Sequence, residues 1–272
     1  MALTREDSTE YAYRRRAAND LIPRCALRAG KEAEQVTIDD ARGWLEEMRR
    51  FYTPNTFRQY RNALAFHFES RGEDATRLRS LAQGPERVKP RHGQTSSGKQ
   101  KKIPVKRAVR IIKALRETNR KWELLAADLF EGSIRCGLRP IEWEDAMVID
   151  DLLIIQNAKA TNGRGNGKER TIHLTPEDEE VALRIASAIR QVPAGINWLA
   201  CARAAFYETR VTLYPKTIYT LYTARHQFSA NMKAQFSREM VADLMGHKTT
   251  RTAAVHYGKR RSAWRRLAAL TP

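Results

Sequence analysis

A basic stretch without apolar periodicity divides this chain of 272 residues into two parts. The stretch from Gln83 to Lys102 is QGPERVKPRHGQTSSGKQKK, which is rich in proline, glycine, serine and cations. Such a composition is typical of a linker, and the chain is long enough for a separate core on either side of it. The predicted divisions are a helical domain at 1–84, a flexible basic linker at 85–103, a second domain at 104–258 and a tail helix at 259–272.

The first part of the chain carries the start signals and apolar stripes of helices. Ser8 can cap a helix that runs through Leu21, and Thr53 is followed by a proline suited to the first turn of another helix. The aromatic residues of these stripes recur at helical spacing, so we expect them in the core. Arg58 and Arg61 lie on the opposite face, where they could contact phosphates or simply be solvated.

The second part is predicted to be helical with one small sheet. Pro104 opens a helix, and the apolar helix that follows ends near Gly137, which can adopt the left-handed cap conformation. Between Met147 and Leu174 the strand-like segments LLIIQ and ERTIHL flank the turn-rich TNGRGNG, which predicts a hairpin. Further helices are predicted at about 197–208, at about 217–234 and from Ser237 to Gly246. The expected fold class is therefore mainly α with a small antiparallel β-sheet (α+β).

The net charge of +18 is the strongest clue to a partner. Lysine and arginine outnumber aspartate and glutamate 49 to 31, which favours a polyanion such as DNA, RNA or an anionic membrane. No long basic amphipathic helix has a wide apolar face, so nucleic acid is the better interpretation. The polar N-terminus and three scattered cysteines predict a reduced, cytoplasmic protein without membrane contact, and no cofactor is expected.

The side chains that phosphodiester chemistry without a metal would require lie in GLRPIEW, in the hairpin and between Tyr222 and Tyr257. A protein nucleophile needs fixed cations on the non-bridging oxygens, an in-line attack and a proton for the leaving 5′ oxygen. Arg139, Arg225 and His247 are candidates for the clamp. Tyr257 is the candidate nucleophile, and Lys159, where the hairpin enters its turn, is the candidate general acid. No carboxylate pair is spaced to hold two metal ions, so we predict a metal-independent mechanism.

Two motifs resemble the conserved boxes of the tyrosine recombinase (phage-type integrase) family. GLRPIE is similar to the first box, and YTARHQF with the later LMGH and HY is similar to the second. The resemblance implies a helical core-binding (SAM-like) DNA-binding domain, a linker and a catalytic domain. By position, Arg139 and Arg225 match the two catalytic arginines, His247 the His/Trp position and Tyr257 the nucleophile. Lys159 matches the hairpin lysine.

The sequence departs from the family pattern at several positions. Tyr222 stands where the family most often has histidine, and a phenol cannot exchange protons near neutral pH as an imidazole does. Tyr257 lies one residue farther from His247 than is common, and Lys168 is a second candidate for the hairpin lysine. Two neighbours of the motif residues have expected supporting roles. Glu142 is expected to support Arg139 or to cap locally, and His226 to support the phosphate-binding cluster.

The resemblance implies a site-specific recombinase that acts through a 3′-phosphotyrosyl intermediate without ATP. It also implies double-stranded DNA as partner, a homotetramer on paired sites that is a monomer in isolation, and accessory DNA-bending proteins. Lys99, Lys101 and Lys102 of the linker could lie along the DNA backbone. The tail stripe of Trp264, Leu267 and Leu270 is expected to dock on a neighbouring protomer. Two alternatives remain open: a catalytically impaired DNA-binding relative, and a type IB-like topoisomerase or telomere resolvase.

Overall fold

The computed structural model of the protein describes residues 7–82, 98–158 and 166–264. The chain divides into two compact units, residues 1–89 and 90–272. The division falls inside the segment that its composition marked as a linker. None of the helices in the described ranges is both long and apolar enough to cross a lipid bilayer.

The first unit is helical throughout its described residues. Its helices are α1 (Asp7–Arg16), α2 (Ile22–Ala29), α3 (Ile38–Met48), α4 (Pro54–Glu69) and α5 (Thr76–Arg79). The Thr53 hydroxyl accepts a hydrogen bond from the backbone N–H of Thr56 at 3.2 Å, as expected of an N-cap. The aromatic stripe of α4 enters the core, where Phe57 and Phe68 are fully buried.

The first helical segment differs from the prediction that it ends at Leu21. The backbone keeps right-handed helical angles through Leu21 and Ile22, with a π-type turn at Ala17–Leu21 between α1 and α2. It ends at Gly30, whose φ of 63° is the left-handed conformation that terminates helices. No residue near Leu21 offers such a stop, so the helical path continues for two more turns.

The second unit is helical around one three-stranded sheet. Its first elements are α6 (Val105–Glu117), α7 (Lys121–Cys136), a 3-10 turn (Pro140–Trp143), β1 (Met147–Ile149), β2 (Leu152–Gln156) and β3 (Glu169–His173). The later elements are α8 (Pro176–Arg190), α9 (Trp198–Leu213), α10 (Leu221–Gln235), α11 (Arg238–Leu244), α12 (Thr250–His256) and a 3-10 turn (Arg260–Ser262). Helix α7 lies in the core and is packed by α6, α8, α9 and α10, as its uniformly apolar sequence predicts.

The sheet is antiparallel in the order β1-β2-β3, which confirms the predicted hairpin and adds a short strand before it. Leu153 pairs with Ile172, and Ile155 pairs with Arg170. Alternation along β3 places Arg170 and Ile172 on the buried side of the sheet. An arginine therefore points into the interior beside apolar side chains.

The end of the predicted linker is bound to the second unit. Gln100 donates its backbone N–H to the carbonyl of Ile218 at 2.9 Å, and Ile103 donates to Gln227 Oε1 at 3.1 Å. Ile103 is 1% exposed, so a buried apolar residue directly precedes Pro104, where α6 was predicted to begin. The flexible linker that we predicted to reach residue 103 is thus already fixed in its last residues.

The start of the tail also packs on the second unit. Trp264 donates its indole N–H to the Ile103 carbonyl at 2.8 Å and its backbone N–H to Asn231 Oδ1 at 2.9 Å. It is not helical, whereas we predicted it on a tail helix that docks on a neighbouring protomer. The two other residues of the predicted stripe, Leu267 and Leu270, lie outside the described residues.

Gly137 ends α7 where no other residue fits, and this generates a stability prediction. Its φ is 73°, and a Cβ there would lie 2.3 Å from the ring of Phe228. Gly137→Ala should therefore combine backbone strain with overpacking, and lower the free energy of unfolding by about 3 kcal/mol or more. Urea denaturation of the full chain measures the change.

Gly195→Ala is the matched control, because Gly195 also has a positive φ, 85°, but has open space around its Cα. It should cost only the backbone strain, about 1–2 kcal/mol. Equal destabilisation by the two substitutions would show that the contact between Gly137 and Phe228 does not restrict the end of α7.

Candidate active site

Helix ends of the second unit bring five of the six predicted catalytic residues together. Arg139 follows the cap of α7, and His247 follows the end of α11. Tyr222 and Arg225 lie on α10, and Tyr257 lies just after α12. Helix ends leave backbone carbonyls without intrahelical partners, so this is where arginine side chains can be fixed by main-chain acceptors.

The carboxylate of Glu142 is at the centre of the cluster. Its side chain is fully buried and contacts three guanidinium groups: Arg139, Arg170 through Nη2 at 2.8 Å, and Arg225 through Nη1 at 3.4 Å. It also accepts the backbone N–H of Arg139 at 2.8 Å, which confirms the expected support and local cap. Burial alone would raise the pKa of Glu142, but the three arginines lower it to about 2.

The guanidinium of Arg225 is fixed on every side. It is fully buried and donates to the carbonyls of Gly137 and Met245, which end α7 and α11. Its Nε lies 3.3 Å from the hydroxyl of Tyr257, and its Nη2 lies 3.5 Å from Nε2 of His247. One planar fork thus sets the positions of two helix ends and the tyrosine hydroxyl relative to α10.

Arg139 is held less completely than Arg225. Its Nη1 and its backbone N–H both donate to Glu142, which fixes the direction of the side chain. Its Nε is buried and has no hydrogen-bond partner among the described residues. A buried guanidinium N–H without an acceptor is costly, so Arg139 is the side chain of the cluster that is best placed to donate a hydrogen bond to a bound anion.

The hydroxyl groups of Tyr222 and Tyr257 are hydrogen bonded to each other at 2.6 Å. Burial and the neighbouring Tyr257 raise the pKa of Tyr222 to about 12. Burial also opposes ionisation of Tyr257, but Arg225, Arg139 and the hydrogen bond from Tyr222 more than offset it and lower the pKa of Tyr257. Tyr257 is therefore the phenol of the pair that ionises more readily.

Two imidazole rings flank the ring of Tyr257, each with its centroid 4.9 Å away. One belongs to His247, which follows the left-handed Gly246. The other belongs to His226, the neighbour of Arg225 on α10. Burial, Lys101, Arg225 and Lys233 lower the pKa of His226 to about 3, so this ring is neutral.

Close approach to α10 positions the segment that carries Tyr257. A Cβ on Gly258 would lie 2.5 Å from the carbonyl oxygen of His226, so only glycine allows this approach. Lys233, one turn from the end of α10, donates to the carbonyl of Gly258 at 2.7 Å. The tyrosine at the end of a short helix is thereby fastened to the helix that carries Tyr222 and Arg225.

Arg170 and Asn157 belong to the cluster, although the sequence did not indicate them. Arg170 bridges Glu142, Asn157 Oδ1 and the carbonyl of Leu244, the last at 3.2 Å. Asn157 in turn donates to the carbonyls of Asn166 and Gly167 at 3.1 and 3.2 Å. The available signal was the alternation of β3, which places Arg170 on the same face as Ile172.

Lys159 lies outside the described residues, but both ends of its segment adjoin the cluster. The backbone N–H of Ala158 donates to Glu142 Oε1 at 3.3 Å. On the other side, Asn166 donates through its side chain to Asp243 of α11 at 2.8 Å. Lys168, the second candidate, is exposed just before β3. The roles of both lysines stay predictions.

The candidate DNA-contacting cations have different environments. In the first unit, Arg58 is exposed and bonded to Asn55, whereas Arg61 donates to the Leu81 carbonyl at 2.6 Å. In the second unit Lys99 and Lys102 are exposed and Lys101 is half-buried; burial and Lys259 lower the pKa of Lys101. Arg61 thus has a structural contact of its own, and DNA contacts of all five residues stay predictions.

The buried carboxylate at the centre of the cluster generates a prediction about pH. The pKa of Glu142 is depressed from about 4.5 to about 2, so its charge stabilises the folded state above the unfolded pKa. Glu142→Gln should lower the free energy of unfolding by roughly 3 kcal/mol at neutral pH. The gap between variant and wild type should shrink as the pH falls from 4.5 to 2.

Denaturation at a series of pH values measures this gap. Glu144→Gln serves as control, since Glu144 is two residues away but exposed, and its substitution should leave the stability nearly unchanged. A gap for Glu142→Gln that stays constant across the acid range would contradict the assignment of its charge as the stabilising element.

Comparison with known proteins places this geometry in a structural context. No sequence-family model matches the chain, and no characterised protein matches it by sequence. Among solved structures, it is similar to a lambda integrase dimer bound to a COC′ core site, with TM-score 0.63, 16% identity and coverage of 97% of this chain and 93% of that chain. A lambda integrase tetramer bound to a Holliday junction gives TM-score 0.64 at 14% identity, covering 97% and 76%.

A third similar structure comes from a transposon. The Tn1549 transposon integrase, solved with a circular intermediate DNA, gives TM-score 0.51 at 14% identity, covering 92% of this chain and 94% of that chain. At such identities the likeness concerns the fold, and it agrees with the expected α+β class and with the motif resemblance. The chain has the fold of the tyrosine recombinases.

Proposed function

We propose that this protein is a site-specific DNA recombinase or integrase that cuts and rejoins DNA through a 3′-phosphotyrosyl intermediate. The observation that carries the proposal is the environment of Tyr257. Its hydroxyl is hydrogen bonded to that of Tyr222 at 2.6 Å and accepts from Arg225 Nε at 3.3 Å, and its pKa is lowered. A phenol is a poor nucleophile until its proton leaves, so this environment is what a tyrosine nucleophile needs.

In the proposed cleavage step, Tyr257 loses its phenol proton to solvent, its phenolate oxygen attacks the scissile phosphorus, and the bond to the 5′ oxygen breaks. Arg139 binds a non-bridging oxygen through its Nε, which has no acceptor among the described residues, and Arg225 and His247 complete the polar surround of the phosphate. The electron pair of the broken bond stays on the 5′ oxygen, which takes a proton from Lys159. Attack by a 5′-hydroxyl on the phosphotyrosine reverses the step, so no ATP is consumed.

Arg225 has a second role in this scheme. Its N–H groups already donate to two carbonyls, Glu142 and Tyr257, so it holds the site rigid before DNA arrives. A group fixed in this way needs no reorganisation when charge develops on the phosphate, which is the main source of electrostatic catalysis. Arg139 then supplies the donor that is open to the substrate.

The proposed partner is double-stranded DNA, bound by a monomer that forms a homotetramer on paired sites. The net charge of +18 supports a polyanionic partner, and it also opposes self-association until DNA neutralises it. Because Trp264 packs on its own unit, an arm that couples protomers would have to begin after Trp264. Accessory DNA-bending proteins remain a prediction from the family resemblance.

The first test concerns the nucleophile. Tyr257→Phe keeps the charge and the ring contacts, so it should bind duplex DNA with wild-type affinity yet form no covalent adduct. The substrate is a nicked suicide duplex taken from the DNA that flanks the gene, and the adduct is scored on a denaturing gel. An adduct from Tyr257→Phe would contradict the assignment. No adduct even from wild type would favour the impaired DNA-binding relative.

The second test concerns the phenol pair. Tyr222→Phe removes the hydrogen bond to Tyr257, so the pKa of Tyr257 should rise and the adduct should form about tenfold more slowly at neutral pH. The rate should recover as the pH is raised, because the phenolate fraction then increases. The pH profile of adduct formation measures both effects.

Tyr214→Phe is the control for this pair, because the ring of Tyr214 contacts the guanidinium of Arg107, 5.0 Å from the ring centroid, and not the site. Its adduct rate should equal that of wild type. Tyr222→His should remain active, since a neutral imidazole can also donate to the tyrosine oxygen. An unshifted pH profile in Tyr222→Phe would show that Tyr222 does not tune the pKa of Tyr257.

A further inference from the structure

A groove of about 630 Å³ lies beside the site, between α9 and the loop that leads into α10. Cations and tyrosines dominate its polar lining: Lys99, Arg203, Tyr207, Arg210, Tyr219 and Tyr222. None of the described residues that line it is acidic. The groove therefore has one sign of charge and aromatic walls, which together favour an anion that carries an apolar part.

Arg210 is the unusual member of this lining. It is only 5% exposed, its buried Nε has no hydrogen-bond partner, and no salt bridge to it occurs among the described residues. Its guanidinium packs on the ring of Tyr207, whose centroid is 4.9 Å from the guanidinium carbon. The other buried arginines of this unit, Arg139, Arg170 and Arg225, all contact Glu142.

A buried guanidinium without a counter-ion is costly in the free protein. Removing such a charge from water carries a penalty of several kcal/mol unless an opposite charge or hydrogen-bond acceptors compensate. The Glu142 carboxylate that compensates Arg139, Arg170 and Arg225 has no equivalent beside Arg210 within the described chain. An anion that enters the groove would supply the missing acceptor.

The groove is continuous with the reaction centre. Tyr222 lines the groove, and its hydroxyl lies 2.6 Å from that of Tyr257. Pro140, which also lines the groove, directly follows Arg139 in the chain. We therefore expect a strand whose scissile phosphate lies at Tyr257 to place a neighbouring phosphate at the groove, since successive phosphates of one strand are about 3.4 Å apart along the helix axis.

We propose that this groove binds a backbone phosphodiester that flanks the scissile phosphate, with Arg210 as its buried cation and Tyr207 as a wall for the adjoining deoxyribose. This inference rests on the proposed function for the identity of the polyanion. It adds a binding residue on α9 that no family motif marks. The bond is a charge-assisted pair between a planar guanidinium and phosphate oxygens, which is favourable in a buried setting.

The test measures the affinity for a short duplex at several salt concentrations. Arg210→Met removes one phosphate contact, so affinity should fall roughly ten- to hundred-fold. The slope of log K against log salt concentration should become shallower by about one. Arg190→Met, at the exposed end of α8 and outside the groove, removes the same charge and should leave affinity and slope nearly unchanged.

A purely structural role of Arg210 would give a different result. It would lower the melting temperature of Arg210→Met without changing the salt slope, and an unchanged slope would overturn the proposal. Should Arg210→Met fail to fold, Arg203→Met tests the same groove, because Arg203 is exposed on α9. Arg203→Met should also flatten the slope, and wild-type affinity and slope in that variant would equally overturn the proposal.

The test of the groove and the test of the proposed function can fail independently of each other. Binding slopes report the groove whether or not Tyr257 reacts, and adduct formation reports Tyr257 whether or not the groove binds a phosphate. If the wild-type protein forms the adduct and the groove variants keep the wild-type salt slope, only the groove proposal is rejected. If the groove variants flatten the salt slope and the wild-type protein forms no adduct, the groove proposal stands and the recombinase proposal is rejected.

Discussion

The buried carboxylate of Glu142 is the interaction on which the site depends. It compensates the charges of Arg139, Arg170 and Arg225, which would otherwise repel one another in a region that excludes water. Arg170 and Arg225 then use their remaining donors on other segments, Arg170 on Leu244 and Arg225 on Gly137 and Met245. A single negative charge thus allows α7, β3, α10 and the end of α11 to meet, and it leaves a net positive site for a phosphate.

The arginine N–H groups are of two kinds: some are bonded to protein acceptors, and others have no described acceptor. Arg225 and Arg170 are committed to protein acceptors, so they fix the geometry of the site in the free protein. Within the described residues, Arg139 keeps a buried N–H without an acceptor, and so does Arg210 in the adjoining groove. Buried donors of this kind are uncommon in folded proteins, and under the proposed function both would bind phosphate oxygens of the DNA.

Helix caps, the hairpin and the residues of the two motifs could be predicted, because each depends on local sequence. The motif residues lie in one cluster, although their chemical roles stay predictions. The contacts of Arg170 and Asn157 could not be predicted, since alternation shows that a strand residue is buried but not which group it meets. The same holds for Tyr222: its departure from the family pattern is visible in the sequence, but its bond to Tyr257 is not.

The central claim is that Tyr257 forms the covalent link to DNA, and peptide mapping tests it most directly. The trapped adduct is digested with nuclease and trypsin, which leaves a nucleotide on the reacted side chain. Cleavage after lysine and arginine gives peptide 252–259 for Tyr257, and peptide 217–225 for Tyr219 and Tyr222. The account predicts the nucleotide mass on the tyrosine of peptide 252–259. The same mass on Tyr222 in peptide 217–225 would contradict it.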